Sequence, residues 1–315
     1  MKITVIAGGL SHERDVSERS GRRVADALRD FGHEVTVSDT NPGLLRELSA
    51  NRPDVVVPML HGAVGEDGTM REILKALELP YVGSTPSACR MSFDKSLAKA
   101  IVETAGVKVP FGIALPHTAY RELGADAVMS AVVQRVGLPA IVKPVRSGSS
   151  LGATVVRDAS EVPSALVSAF AYADVALVER FVEGTEVAVA VLDDGTGVRA
   201  LPAVEIQPDG GFYDYNARYV AGLTEFFCPA RLTPAVAERA AEVAVTAHLA
   251  LGLRDLSRAD LIIDADGEVW FLETNVAPGF TETSLFPQAI SAAGLQVGGV
   301  FDSLVSIAAQ RGGHA

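Results

Sequence analysis

Cysteine is nearly missing from this chain. Cys89 and Cys228 are the only two in 315 residues, which excludes a disulfide framework. An excess of basic charge is missing too: 27 Lys and Arg stand against 39 Asp and Glu, for a net charge of −12. That excludes a general nucleic-acid or anionic-membrane surface, so any phosphate must be held by a local cluster of cations. No apolar run reaches transmembrane length. Low-complexity tracts and internal repeats are absent. Met1-Lys2-Ile3-Thr4-Val5-Ile6-Ala7 carries one charge and a short apolar run before Gly8-Gly9, which reads as a buried strand rather than a signal peptide. The composition is that of a cytoplasmic globular protein of two or three domains.

What is present is an alternation of strands and helices. Ile3–Ala7 predicts a strand, followed by a helix to about Phe31 with Val24, Ala25, Leu28 and Phe31 as its apolar face and Gly32 as its stop. Val35–Val37 predicts a second strand. Asp54–Leu60 predicts a third, with the continuous apolar run of a sheet covered on both sides. This order indicates an α/β domain, where ligands sit at the carboxyl ends of the strands. Two loops lie there, one carrying Glu13 and one running from His61 to Gly68. Glu13 has two readings at this point, a capping acid on the following helix or a group facing a ligand. Gly8-Gly9 lacks the spacing of a nicotinamide-binding fingerprint. Pro80–Ser84 predicts a short strand, and Ser92–Lys95 opens a helix to about Thr104.

A second unit begins here, with a helix over Val128–Val136, a strand over Pro139–Pro144, a Gly/Ser-rich loop over Arg146–Gly152 and a returning strand at Thr154–Val156. Lys143 interrupts an apolar strand. It needs a partner or an anion, or it snorkels from an edge strand. The loop beside it can present backbone N–H groups to phosphate, although it is not a Walker loop. A helix over Val162–Ala169 and a strand over Val175–Val182 follow. A third, mostly antiparallel unit then opens with Thr185–Leu192, and it includes an aromatic loop with one cation, Phe212–Tyr219. Thr233–Leu251 and Val300–Ala309 predict helices.

One stretch carries the densest chemistry. Two β-rich runs, Arg258–Asp264 and Val269–Asn275, flank Asp266-Gly267, a strong hairpin signal. A two-residue turn there pairs Ala265 with Glu268, Asp260 with Glu273 and Arg258 with Asn275. Side chains two apart share a face, so the last four point one way, with Trp270 and Leu272 on the other. Facing carboxylates destabilise a ladder unless a divalent cation lies between them. Asp, Glu and Asn are the hard oxygen ligands that Mg²⁺ takes. The competing reading is an amphipathic hairpin with a polar surface. Val276–Ser284 follows as a loop of backbone donors and hydroxyls, of the kind that holds an anion.

Taken in order, these pieces resemble the ATP-grasp superfamily and, within it, the D-alanine–D-alanine ligases. The resemblance runs through Ala7-Gly8-Gly9 with Glu13-Arg14-Asp15-Val16-Ser17, His61-Gly62 with Gly65-Glu66-Asp67-Gly68, and Asp94-Lys95. It continues through Val142-Lys143-Pro144 with Gly148-Ser149-Ser150-Leu151-Gly152, Glu179, Glu186, and Tyr213-Asp214 with Tyr219. It ends with Arg258, Asp260, Glu273, Asn275, Pro278-Gly279, Thr281 and Ser284-Leu285-Phe286-Pro287. Nearly the whole chain is covered. The implied fold is α/β, α+β overall: an N-terminal parallel-sheet domain over 1–91 and two α+β subdomains, 92–182 and 183–315, enclosing ATP.

The resemblance implies a role for each matching residue. Lys95, Lys143 and Arg218 contact phosphate. Glu179, with the backbone of Phe181 and Val182, holds adenine, and Glu186 holds the ribose. Asp260, Glu273 and Asn275 hold two Mg²⁺ ions, which Mn²⁺ can replace. Arg258 and the Gly279 N–H stabilise an oxyanion. Glu13 pairs with the first substrate's ammonium and forms a hydrogen-bonded trio with Ser149 and Tyr219, while His61 also meets substrate. Ser284 and Leu285 meet the second substrate. The implied activity joins two D-alanines through a D-alanyl phosphate for peptidoglycan precursor. The implied partners are D-amino acids and ATP, without nucleic acid or membrane, in a homodimer.

Three positions depart from the family pattern. Arg218 stands where lysine is usual, keeping the charge and changing donor geometry. Val276 and Phe280 replace threonine and methionine, and both are expected beside the second-substrate pocket, where they bear on selectivity. The alternative within the class is therefore a ligase for another D-amino acid or amine in a specialised pathway. Outside the class, the alternative is a nucleotide-binding module without ligase chemistry.

Overall fold

The computed structural model describes every residue except 215, 216, 219, 221, 314 and 315. The chain opens with β1 (Lys2–Ile6), α1 (Arg14–Asp30), β2 (Glu34–Ser38), α2 (Leu44–Ala50) and β3 (Val55–Pro58). The strands form a parallel sheet in the order β2-β1-β3. Helix α1 buries Ser17, Ser20, Gly21, Val24, Ala25 and Leu28, a stripe at helical spacing. Gly21 is what lets it lie close to the sheet, since a Cβ there would come 2.4 Å from that of Ala7. Phe31, expected on the same stripe, is instead 46% exposed, with its ring over the backbone of Gly298. The opposite face of the sheet packs Ile6 and Val56 against α2 and, through Met70 and Leu74, against α4 (Thr69–Ala76), which follows the short α3 (Ala63–Glu66).

The strand expected at 80–84 is reduced to one parallel bridge, Val56 to Tyr81. Pro80 has no N–H to donate to a ladder, and the chain turns away at Gly83, where φ is +111°. Next come α5 (Pro86–Phe93) and α6 (Lys95–Thr104). Thr85 and Asp94 cap them through side-chain oxygens that accept from Ala88 and Leu97.

The second sheet comprises β4 (Gly112–Pro116), β5 (Ala140–Pro144), β6 (Thr154–Val156) and β7 (Val175–Arg180), antiparallel in the order β4-β7-β5-β6. Between β4 and β5 run α7 (His117–Leu123) and α8 (Ala125–Val136), and α9 (Val162–Phe170) precedes β7. Val132, Val136, Ala165 and Ala169 cover one face through Ala140, Val142 and Val178. Alternation along the strands turns Ile141, Lys143 and Glu179 to the other. Strand β5 is interior, so the expectation of an edge-strand lysine at 143 is corrected.

The third sheet is built from β8 (Thr185–Asp193), β9 (Val198–Ala200), β10 (Val204–Pro208), β11 (Thr224–Phe227), β12 (Leu256–Ile263) and β13 (Val269–Asn275). Its order is β11-β10-β8-β12-β13, with β9 beside β8. Helix α10 (Pro234–Ala250) lays Ala240, Ala244 and Ala247 on it, and Ala98 and Val102 of α6 join the same core. Finally, α11 (Leu285–Ala292) and α12 (Val297–Arg311) return to the first sheet, where Val300, Phe301 and Leu304 share a core with Ile3, Val5, Val57 and Leu28.

The β12–β13 hairpin holds a double surprise. The turn is not the expected two-residue turn. Ile263 pairs with Val269, and the Asp264 N–H donates to the Glu268 carbonyl at 3.1 Å, leaving three residues in the loop with Gly267 left-handed at φ +77°. Three pairs further along, the shift is undone. Leu261 pairs with Phe271 but Asp260 with Glu273, so Leu272 is an extra residue in a β-bulge. The two displacements cancel, and Asp260–Glu273 and Arg258–Asn275 face each other as predicted. The bulge also turns Leu272 to the side of Glu273, against the expectation that it shares Trp270's face: both border the same internal space.

Candidate active site

Three connected spaces lie where the sheets meet. The first is bordered by Glu13, His61, Lys95, Ser149, Arg218, Arg258, Glu273, Asn275, Gly279, Ser284 and Leu285. A second, of about 470 Å³, is bordered by Lys143, Glu179, Phe181, Val182 and Glu186. A passage shares residues with both and is lined by Lys95, Lys143, Glu186, Arg218, Asp260 and Glu273. Every candidate residue from the sequence thus borders one of these spaces, apart from Tyr219, which lies outside the described residues.

Local folding explains how each group reaches the site. Arg258 and Asp260 stand two apart on β12, so they share a face. The guanidinium donates from Nε to Asp260 Oδ1 at 2.7 Å and from Nη2 to Oδ2 at 2.8 Å, a two-pronged pair. Lys95 begins α6, from which its ammonium reaches Glu273 Oε2 at 3.1 Å and the Ser147 carbonyl at 2.6 Å. Burial alone would raise the Glu273 carboxyl, but Lys95, Lys143 and Arg218 hold it down at about 2. Glu186 moves the other way, up to about 7, because burial dominates and Arg218 only partly offsets it. Lys143 Nζ lies 3.0 Å from Glu179 Oε1.

The loop over 146–152 ties the three sheets together. Ser149 and Ser150 are left-handed, with φ of +52° and +56°, a strained arrangement for non-glycine residues. That geometry sends the two hydroxyls in useful directions. Ser149 Oγ donates to Glu13 Oε1 at 2.5 Å, and Ser150 Oγ donates to the Tyr213 carbonyl at 3.0 Å. Glu13 begins α1 without a side-chain capping bond, so the capping reading gives way to the ligand-facing one. Arg218 lies over the Tyr213 ring, 4.2 Å from its centroid, with Nε 3.3 Å from Ser150 Oγ.

The first space carries marks of a ligand site. His61 is buried and its Nε2 has no hydrogen-bond partner among the described residues. Burial lowers its pKa, which leaves the ring neutral. At the far side, Ser284 Oγ accepts from the Thr281 N–H at 3.0 Å. Gly279 is forced by this approach, since a Cβ there would sit 2.9 Å from Ser284 Oγ.

Sequence reasoning passed over two buried groups. Glu66 lies in the quoted Gly65-Glu66-Asp67-Gly68 run without a role, yet it borders the first space. Burial, with Glu13 close by, pushes its carboxyl up to about 8. Lys99 is buried in α6 and pairs with Glu179 Oε2. Its signal was available: it follows Lys95 by four residues, which on a helix is the same face.

One expectation is corrected. Val276 and Phe280 do not border the first space. Val276 is buried in the core of the third sheet. Phe280 is fully buried, with its ring 5.2 Å from that of Phe286 and 4.9 Å from that of Phe301. The loop alternates, so these apolar side chains turn to the core while Gly279 and Thr281 face the cavity.

No three acidic, imidazole or thiol groups gather to hold an ion by themselves among the described residues. Asp260 and Glu273, opposite one another, and the nearby Asn275 offer oxygen donors beside a passage lined with cations. That fits Mg²⁺, which fills its shell with water and phosphate oxygens rather than with an all-protein cage.

Comparison with known proteins follows the same lines. Residues 38–84 match the family model "D-ala D-ala ligase N-terminus" and residues 101–306 match "D-ala D-ala ligase C-terminus". A D-alanine–D-alanine ligase of Bordetella petrii is 41% identical over 98% of this chain and 92% of its own. The crystal structure of the Bacillus anthracis D-alanine–D-alanine ligase complexed with ATP superposes with a TM-score of 0.83, at 26% identity over 99% of this chain and 98% of that one. The VanG D-Ala:D-Ser ligase of Enterococcus faecalis gives a TM-score of 0.84, at 28% identity over 98% of this chain and 99% of that one. No single helix among the described residues is long and apolar enough to cross a membrane.

Proposed function

The chain belongs to the D-alanine–D-alanine ligase family, and from that premise we propose how its residues carry the family's reaction. That reaction is the ATP-dependent joining of two D-alanines for peptidoglycan synthesis. The observation that carries the assignment of roles is the passage where Lys95, Lys143 and Arg218 meet Asp260 and Glu273. It joins a cleft sized for a purine, lined by charged and apolar side chains alike, to the cavity that holds Glu13 and Arg258.

Adenine sits by Glu179, Phe181 and Val182, and ribose by Glu186. The three cations draw the phosphates through the passage and offset charge on the transferring phosphoryl group, largely by positioning. Asp260, Glu273 and Asn275 hold Mg²⁺, two ions by family resemblance, which supplies further charge neutralisation when bound. Glu13 holds the ammonium of the first D-alanine, oriented by Ser149. The carboxylate of that D-alanine takes the γ-phosphoryl, giving an acyl phosphate and ADP. The amine of the second D-alanine, held at its carboxylate by Ser284, attacks the acyl carbon. Phosphate leaves and the amine gives up a proton. Arg258 and the Gly279 N–H receive the oxyanion that exists between the amine's attack and the departure of phosphate. Water must be kept out because an acyl phosphate hydrolyses; the loop around Ser149 serves as a lid. By the same resemblance the enzyme works as a cytoplasmic homodimer, which sedimentation would test.

The test is ADP release from ATP and Mg²⁺, with and without D-alanine, with the product identified by mass. D-alanine-dependent ADP accompanied by D-alanyl-D-alanine is expected. ATP turnover without the dipeptide would overturn D-alanine as the second substrate. The alternative of another second substrate rested on Val276 and Phe280, and their side chains point into the core. Phe280→Met should therefore cost about 1 kcal/mol of stability and leave the preference between D-alanine and D-serine unchanged. Urea unfolding and paired turnover measurements would check both halves.

A further inference from the structure

Lys99 borders none of the three spaces described above, yet it is buried and spends its charge on Glu179, one side chain inside the nucleotide cleft. Glu179 is only 1% exposed. Its Oε1 accepts from Lys143 at 3.0 Å and its Oε2 accepts from Lys99. The two lysines are not equivalent. Lys143 also lines the phosphate passage beside Lys95 and Arg218, so a triphosphate competes with Glu179 for it. Lys99 projects from α6 one turn beyond Lys95, among the core residues Ala98 and Val102, and lines neither the passage nor the cleft.

We propose that Lys99 is a positioning residue. It keeps the Glu179 carboxylate ionised and fixed when Lys143 turns to phosphate, so that Glu179 acts as a pure acceptor for the exocyclic amine of adenine and the enzyme selects adenine over 6-oxopurines. The proposal rests on the assignment of Glu179 to adenine given above.

The chemistry follows from burial. A carboxylate out of water becomes neutral unless a cation or donors hold its charge. Burial would raise the Glu179 carboxyl, and Lys143 with Lys99 keeps it below its ordinary value. Burial and the neighbouring Lys143 push the Lys99 ammonium down to about 7 against the pull of Glu179; if Lys143 moves away, that repulsion is relieved and Lys99 is the cation that remains. An ionised carboxylate accepts and does not donate. Adenine presents an N–H₂ donor to it, whereas a 6-oxopurine presents a carbonyl, and two acceptors then face each other. A buried mismatch of that kind discriminates strongly.

The experiment compares ATP with ITP, which differ at the purine 6-position, on Lys99→Met, Lys99→Arg and Glu179→Gln. Binding is read by calorimetry and turnover by D-alanine-dependent ADP release. Lys99→Met should raise KM and Kd for ATP by about 10-fold, leave those for ITP nearly unchanged, and keep kcat at saturating ATP within about 3-fold. Lys99→Arg should restore most of the ATP preference. If Lys99→Met does not fold, Lys99→Gln, which keeps a donor without the charge, is read in the same way. Equal losses for ATP and ITP would mean a merely structural lysine and overturn the proposal. So would an unchanged ratio in Lys99→Met beside a collapsed ratio in Glu179→Gln. An unchanged ratio in Glu179→Gln would instead remove the adenine assignment itself.

Discussion

Glutamine in place of Glu273 should reduce D-alanine-dependent ADP release by about 10³-fold or more while the thermal melt stays close to that of the parent. The two side chains are nearly the same size, so packing is not at issue. What is lost is a negative charge that the protein has gone to some length to keep. Lys95, Lys143 and Arg218 surround it, and Lys95 touches it at 3.1 Å. Glu273 also faces Asp260 across the ladder, and no other acid in that face is paired in this way. With an amide there, Asp260 and Asn275 would have to hold the ion with one carboxylate between them. Titrating Mn²⁺ by its paramagnetic signal gives a readout independent of turnover: the variant should bind it more weakly in the presence of an ATP analogue. Full activity and unaltered Mn²⁺ binding would remove Glu273 from the metal site.

Lysine in place of Arg258 should lower kcat by about 10²-fold and change KM for D-alanine little. Charge is conserved, so a general electrostatic role would tolerate the change. The structure uses more than charge, because two guanidinium nitrogens grip both oxygens of Asp260. That grip fixes the plane of the guanidinium and leaves its other N–H bonds aimed at the cavity. A lysine ammonium has neither the fork nor the fixed plane. The consequence is specific: the acyl phosphate would still form but be captured less well, so ADP should exceed dipeptide in the variant. Quantifying both products in one reaction decides it. Equal yields at an undiminished rate would take the oxyanion role away from Arg258.

Much of this site was legible because strand geometry has a period of two. Arg258 and Asp260, or Glu273 and Asn275, must share a face whatever the turn does. The register was harder. The two-residue turn was wrong and the pairing right, because the bulge at Leu272 restored what the longer loop had displaced. A bulge leaves no mark in an apolar run such as Trp270-Phe271-Leu272. Val276 and Phe280 were misplaced for a related reason: in an irregular loop, neighbours in sequence do not reveal which side chain turns inward. Helices such as α5 escaped notice because a short buried segment between two turns has no clear period. Lys99 escaped differently. A lysine on an alanine-rich helix looks like ordinary solvent-facing charge until Glu179, 80 residues away, is seen beside it.

The return of α12 to the first sheet has a consequence for how the chain is made. On the ribosome β1, β2 and β3 emerge early, and on one side only α1 is at hand to cover Ile3, Val5 and Val57. The remaining cover, Val300, Phe301 and Leu304, is synthesised after both other sheets. Until then that apolar surface stays in water and forgoes its burial energy. The N-terminal unit is therefore expected to mature last although it is translated first. Nascent chains halted before residue 297 should be cut by protease within residues 1–91, and a resistant N-terminal fragment at that length would count against this order of assembly.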